Sequence, residues 1–304
     1  MKPLVSAVIP TRNRPLLVLR AVQSALRQTY ANLEVIVVID GSDPATVASL
    51  GSIADPRLRI VALQENVRGS EARNIGVRNA RGEWIAFLDD DDEWLPEKTE
   101  KQMFLLEEGG FTANFCACRF RKVAHDFGVV LPHSFPEPEE DWSEHFYCLV
   151  AGLPLPSTYI ASKEFMLRVP FTKGLLHNED TDWLLRARKS NLIKPVWLAE
   201  PLCIYHCDHV EVRISTGSSW EFSYRWALEN RNILLSPKAF SFCLVRLCVP
   251  RAKNSRHPAA CLLRLLYAAV TKGRVNLRFC AYFAGYAILS DPMRVKFGKV
   301  FSHV

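Results

Sequence analysis

The apolar positions in the first third of the chain fall into short unbroken runs separated by text with helical spacing. Leu4–Ile9 is a β-rich run that ends against Pro10. Behind Pro15, Leu19, Val22, Ala25 and Leu26 recur at the spacing of one helix face. Leu33–Ile39 (LEVIVVI) is near-continuous apolar text, as a central parallel strand buried on both faces should be. Leu58–Leu63 and Trp84–Leu88 predict a third and a fourth strand, and Ser70–Ala80 predicts a short helix of small residues between them. This alternation predicts an α/β, doubly wound, mostly parallel sheet. Ligands of such sheets sit beyond the carboxyl ends of the strands. Those ends here read Thr11-Arg12, Asp40 with the turn text Gly41-Ser42-Asp43, and Asp89-Asp90-Asp91-Asp92.

Further on, Phe115–Val123, Ser157–Ala161 and Val196–Cys207 predict strands. Leu131–Trp142 predicts a proline- and acid-rich loop, and Asn178–Lys189 an amphipathic helix. Beyond about residue 211 the text turns helical, aromatic and basic. The predicted organisation is a catalytic domain over 1–210, with a boundary near residue 95 between its halves, and a helical extension over 211–304.

The 304 residues and 49% hydrophobic content suit a globular chain with a sizeable core. The nine cysteines include no CxxC pair and read as reduced core thiols of a cytosolic protein. Met1-Lys2-Pro3 leads straight into a strand, so no signal peptide is expected, and no apolar run is long enough for a transmembrane helix. The net charge of +6 conceals an asymmetry: residues 211–304 hold 15 Lys/Arg and 4 Asp/Glu, leaving 23 bases and 28 acids in residues 1–210. An acidic body thus carries a basic extension, which suits an anionic partner. Its two apolar segments, 259–270 and 279–289, have Arg264, Lys272, Arg274 and Arg278 within or beside them. They suit helices lying at an anionic membrane surface, or a cap on the catalytic domain or on a second subunit. No nucleic-acid-binding module is recognisable in it.

The acid run is the first chemical candidate. Carboxylate oxygens are hard ligands for Mg²⁺ or Mn²⁺, and a bound diphosphate can supply the remaining ligands. The alternative is a solvated turn capping a helix that begins near Pro96; four aspartates directly after an apolar strand favour a site. Asp40 suits a uracil imide or a ribose hydroxyl, and equally an Asx-turn. Arg73, within the glycine-bearing stretch 69–82, suits a phosphate or a pairing with Asp40, and equally a surface position on a packed helix.

Together these stretches resemble the family 2 glycosyltransferases of GT-A fold. The resemblance rests on VSAVIPTRNRP at 5–15, VIVVIDGSDPAT at 35–46, ENVRGSEARNIGVRNARGEWIAFLDDDDEW at 65–94 and NEDTDWLLRARK at 178–189. It implies an inverting transfer from a nucleotide-diphosphate sugar, a UDP-sugar being favoured, to an acceptor hydroxyl. Pro10, Thr11 and Arg12 fall at the family's nucleotide-binding edge, Asp40 at its base contact, and Arg73 beside that pocket. Asp89 and Asp91 match the outer residues of the family's Asp-x-Asp motif around Asp90, with Asp91 as the ligand of Mg²⁺ or Mn²⁺. Asp180 matches the catalytic base, with Glu179 and Asp182 competing; the helix N-terminus is expected to keep Asp180 ionised. The sequence departs from the family at Ile39, where an acid is usual, and at Tyr205-His206-Cys207-Asp208-His209, where an insertion would be needed to make His209 a metal ligand.

The role implied is assembly of bacterial surface polysaccharide or glycolipid on a saccharide or lipid-linked acceptor. The enzyme would be cytoplasmic and peripheral on the inner membrane face, with self-association open. A nucleotide-sugar binder without turnover and a transferase acting on a protein are the alternatives.

Overall fold

The computed structural model describes residues 2–124, 127–149, 152–207 and 219–289. The chain divides into two compact units. The first holds residues 1–132, 153–175 and 179–213, and the second holds 133–152, 176–178 and 214–304. One boundary at residue 210 therefore misses two short segments that belong with the C-terminal part.

The first unit is built on a sheet of nine strands: β1 (Val5–Thr11), β2 (Leu33–Ile39), β3 (Leu58–Ala62), β4 (Trp84–Phe87), β5 (Asp92–Trp94), β6 (Phe115–Ala124), β7 (Phe127–Leu131), β8 (Tyr159–Ser162) and β9 (Pro195–His206). Their order is β3-β2-β1-β4-β8-β6-β9-β5, with β7 on β6. The β3-β2-β1-β4 part is parallel, with Thr11 in register with Ile39. Every residue of β1, β2 and β4 is buried, which explains why their sequences are apolar without alternation.

Helix α1 (Pro15–Leu26) starts with proline at its first turn and buries Val18, Ala21, Val22 and Ala25. The unit also contains α3 (Arg68–Asn79), after α2 (Pro44–Gly51), and later α4 (Lys98–Glu108), α6 (Lys163–Arg168) and α7 (Glu179–Lys189). Helix α7 is anchored by Trp183. Its ring lies within 6 Å, centroid to centroid, of Phe115, Tyr159, Phe165 and Phe171, and its Nε1 donates to the Val169 carbonyl at 2.7 Å.

The acid run does not cap a helix near Pro96. Its last member opens β5, which pairs antiparallel with β9, Asp92 opposite Tyr205. Helix α4 follows only at Lys98; its first turn is met not by an acid of the run but by Gln28, whose Oε1 accepts the Thr99 amide at 2.9 Å. Ser157 also lies outside a strand, in a 3₁₀ turn over Pro156–Thr158 that precedes β8. Helix α2, unremarked above, has signals that sequence carries: Asp43 accepts from the Thr46 amide at 3.1 Å, and Pro44 sits in its first turn.

The second unit is helical. It holds α5 (Trp142–Cys148) and α8 (Trp220–Glu229). A continuous rod follows, made of α9 (Pro237–Cys243), a π-helical segment (Leu244–Cys248) and α10 (Val249–Ala252), and then α11 (Pro258–Lys272) and α12 (Leu277–Ile288). Asp141 caps α5, and Ser236 caps α9 while donating to Glu144 at 2.8 Å.

Helix α3 lies so close to β1 that a Cβ at Gly76 would meet Val8 Cγ1 at 2.2 Å. Val8 is fully buried and β-branched, so it cannot swing aside. Gly76→Ala is expected to destabilise the protein by about 1–3 kcal/mol in urea unfolding, the usual cost of overpacking. Gly51→Ala, where a Cβ meets nothing, should be neutral or stabilising by up to ~1 kcal/mol.

Candidate active site

The four aspartates after β4 alternate in environment. The side chains of Asp89 and Asp91 keep 28% and 20% of their surface exposed, while Asp90 and Asp92 are 5% and 0% exposed. The buried pair is used internally. Asp90 accepts from Thr11 Oγ1 at 2.7 Å and from Arg14 Nη1 at 2.8 Å. Asp92 accepts from Ser157 Oγ at 2.5 Å, and that hydroxyl accepts the Asp89 amide at 3.1 Å. Burial pushes the Asp90 carboxyl up to about 6, against the pull of Arg14. Burial, then Asp89 and Asp91, push Asp92 well above the usual carboxylate range. Five neighbouring acids are tolerated because Asp92 resists ionisation and three arginines face the run. Arg14 also reaches Asp91 at 3.2 Å, Arg20 donates to the Asp91 carbonyl at 2.5 Å, and Arg73 pairs with Asp89.

Arg73 is the hub of the site. Carried on α3 and almost fully buried, it binds Asp89 on one side and Glu179 on the other at 3.5 Å, with its guanidinium 5.6 Å from the centre of the Phe171 ring. It does not pair with Asp40. Asp180 follows Glu179 in the first turn of α7, and its Oδ1 accepts the Thr181 amide at 2.7 Å. The helix terminus does not decide its charge. Although part of the residue's surface stays open, it sits deep among protein atoms. Burial first and Glu179 second push its carboxyl up to about 6, against the pull of the Thr181 amide and Arg73. Asp182 is buried and occupied by Thr172 Oγ1 at 2.6 Å and Arg186 Nε at 2.8 Å.

Asp40, just past β2, is also buried; its Oδ1 accepts the Val67 amide at 2.6 Å and its own amide donates to the Thr11 carbonyl at 2.9 Å. Gly41 turns the chain there at φ +101°. Pro10 is buried within β1, Thr11 has given its hydroxyl to Asp90, and Arg12 is exposed. Ile39 is fully buried in β2 and offers no polar group. His209 lies outside the described residues. The neighbouring His206 has Nε2 2.7 Å from Glu93 Oε2.

Arg14, Arg20, Ser157 and Glu93 are thus parts of this site that sequence reading passed over. Arg14 and Glu93 lie inside quoted motifs and Arg20 just beyond one, but Arg14 meets Asp90 across 76 positions, so no local spacing reveals the pair.

The pattern of the glycosyl transferase family 2 matches residues 6–153, which take in Asp40, Arg73 and the whole acid run. Residues 6–153 form a glycosyltransferase family 2 domain. The amylovoran biosynthesis glycosyltransferase AmsB of Erwinia amylovora is 28% identical over 73% of this chain and 75% of its own length. Among solved structures, S. aureus TarS 1–349 in complex with UDP-GlcNAc superposes with a TM-score of 0.62 at 18% identity, covering 93% of this chain and 79% of its own. The mannosyltransferase PcManGT of Pyrobaculum calidifontis, in complex with GDP-Man and Mn²⁺, superposes at 0.54 and 16% identity, covering all of this chain and 81% of its own. These likenesses show the GT-A fold for the glycosyltransferase.

Among the described residues, no three His, Cys, Asp or Glu side chains converge as a protein-only metal site. The donor set nevertheless fits Mg²⁺ or Mn²⁺. Asp91 presents a hard, partly open carboxylate, and such ions take one or two carboxylates plus substrate phosphates rather than a protein cage.

Arg14 holds Asp90 in a nearly dry pair, so Arg14→Ala should leave a buried carboxyl without its cation. The folded-state pKa of Asp90 is already above its unfolded value, and losing Arg14 raises it further. The variant's deficit therefore opens as pH rises through about 6. Urea unfolding should show a small loss at pH 5, growing by about 1.4 kcal/mol per pH unit above 6 to about 2–3 kcal/mol near pH 8.

Proposed function

We propose that the glycosyltransferase moves a sugar from a nucleotide-diphosphate donor, a UDP-sugar being favoured, to an acceptor hydroxyl with inversion at the anomeric carbon. The observation that carries this reading is the Arg73 bridge: Arg73 binds Asp89 of the acid run and, 106 positions along the chain, Glu179 beside Asp180. Asp40 and Arg12, at neighbouring strand ends, would bind the nucleoside side of the donor. Asp89 would orient the ribose or diphosphate. Asp91 would hold Mg²⁺ or Mn²⁺, which when bound supplies positive charge to the leaving diphosphate.

Asp180 takes the proton of the acceptor hydroxyl. The hydroxyl oxygen forms the new bond to the anomeric carbon from the face opposite the diphosphate. The bond from that carbon to the diphosphate oxygen breaks, and the electron pair leaves with the nucleotide. A carboxyl poised near 6 is ionised at neutral pH yet basic enough to accept the proton as the bond forms. Glu179 stays engaged with Arg73, and Asp182 stays locked by Thr172 and Arg186.

The relative AmsB supports a place in polysaccharide biosynthesis. The acceptor is proposed to be a saccharide, lipid-linked at the inner face of a bacterial cell membrane. Nucleotide release separates this reading from donor binding without turnover.

Asp91→Ala should abolish the Mn²⁺-dependent part of UDP-sugar binding, read by calorimetry with and without metal, while the melting temperature stays near that of the parent. Metal-dependent binding that survives the change would reassign the ligand.

Turnover, followed as nucleotide release, should fall about tenfold per pH unit below about 6, because the base must be ionised. Asp180→Asn should lower turnover by ~10²-fold or more with donor affinity little altered, and should remove that acid limb. Glu179→Gln or Asp182→Asn producing the same pattern instead would transfer the role.

A further inference from the structure

The helical unit carries a charge bias sharper than the chain's total. From Asn230 to Leu289 the sequence has 10 Lys/Arg and no Asp or Glu. Helices α11 and α12 both pack on α9–α10, through Leu265, Ala268 and Ala269 on α11 and Phe279 and Tyr282 on α12. Their other faces are apolar as well. On α11, Leu263, Tyr267 and Val270 follow one another at helical spacing and are 66%, 69% and 55% exposed. On α12, Leu277, Cys280, Ala284 and Ile288 form one outward row, its ends 89% and 80% exposed. Three exposed bases, Arg256, Lys272 and Arg274, flank the two ends of α11. Arg264 is turned instead onto the rings of Trp220 and Tyr224.

We propose that the outward face of α11, with that of α12, seats the enzyme on an anionic lipid surface, in the plane of the headgroups. This rests on the membrane-side placement proposed above and names the surface that makes the contact; it does not depend on the donor. Apolar side chains at helical spacing ringed by bases are the pattern of an interfacial helix. Spanning is ruled out by length: α11 has 15 residues, about 22 Å, against a hydrocarbon core of about 30 Å. A second copy is the poorer occupant, since a two-fold contact would set this acid-free, basic surface against itself. Anionic headgroups supply the missing charge, at about 1 kcal/mol for each base near the surface.

The test is cosedimentation of the full chain with phosphatidylglycerol/phosphatidylcholine vesicles and with phosphatidylcholine alone, at low and high salt. Three variants accompany it: Leu263→Ser/Tyr267→Ser/Val270→Ser; Arg256→Gln/Lys272→Gln/Arg274→Gln; and Phe104→Ser, which removes an exposed apolar residue from the first unit. The parent should prefer anionic vesicles and be partly released by salt. Each triple variant should bind at least about tenfold more weakly at an unchanged melting temperature. The basic-residue variant should also lose salt sensitivity, and Phe104→Ser should bind like the parent. If the serine variant unfolds early, the basic-residue variant decides. Triple variants that bind like the parent overturn the face while leaving the membrane placement standing. A parent that binds no vesicle overturns both. Self-association of the parent in light scattering, abolished by the serine variant, would assign the face to a second copy. Nucleotide release without vesicles should match the parent in all variants, since none of these residues belongs to the site; its loss would overturn that separation.

Discussion

A buried guanidinium must be matched by negative charge or it will not stay buried, and Arg73 satisfies that requirement with two carboxylates from distant parts of the chain. One comes from the end of β4 and the other from the start of α7. This requirement joins the half of the sheet that reads as a nucleotide fold to the helix that carries the proposed base. The stacked aromatics around Trp183 set the same helix from its other side. Asp180 is thus placed largely by its neighbours: Glu179 is held by Arg73, Trp183 is fixed in the core, and Asp180 lies between them, its Oδ1 accepting from the Thr181 amide and hydroxyl.

The pKa of Asp180 shows how local and tertiary effects compete. A carboxylate in the first turn of a helix gains from the dipole, and that effect can be read from sequence. Desolvation and the adjacent Glu179 act in the opposite sense and prevail. Glu179 stands next to Asp180 in the sequence, but the desolvation does not show before the chain is folded, because it depends on what covers the helix start. The same holds for the acid run, whose repulsion is relieved by Arg14, Arg20 and Arg73 reaching it from two helical segments.

How much could be read in advance depended on how local the cause was. Strands β1, β2 and β4 are buried on both faces, so their unbroken apolar text was unambiguous and their carboxyl ends located the site. Asp89 and Asp91 stood out through the family pattern, and the structure separates them from Asp90 and Asp92 by exposure. Strand β5 was invisible: Asp92-Glu93-Trp94 has no strand pattern of its own and exists because β9, over a hundred positions later, offers an edge. The two segments that join the helical unit, 133–152 and 176–178, are likewise set by tertiary contacts rather than by composition. The apolar stretches of α11 and α12 were legible as segments, but which of their residues face outward required the rod they pack on.

The alternation within Asp89–Asp92 means that four identical letters carry four unlike specifications. Position 89 needs a charge that can answer a guanidinium. Position 90 needs an acceptor that fits between a hydroxyl and an arginine. Position 91 needs reach into open space. Position 92 needs a small polar group that tolerates a dry interior. Glutamate would keep an acid at every one of them, yet its extra methylene displaces the carboxyl group in the open places and intrudes in the closed ones. Substitution records for such a run are therefore informative only position by position, and a tally of its acids says nothing about which of them the protein can spare.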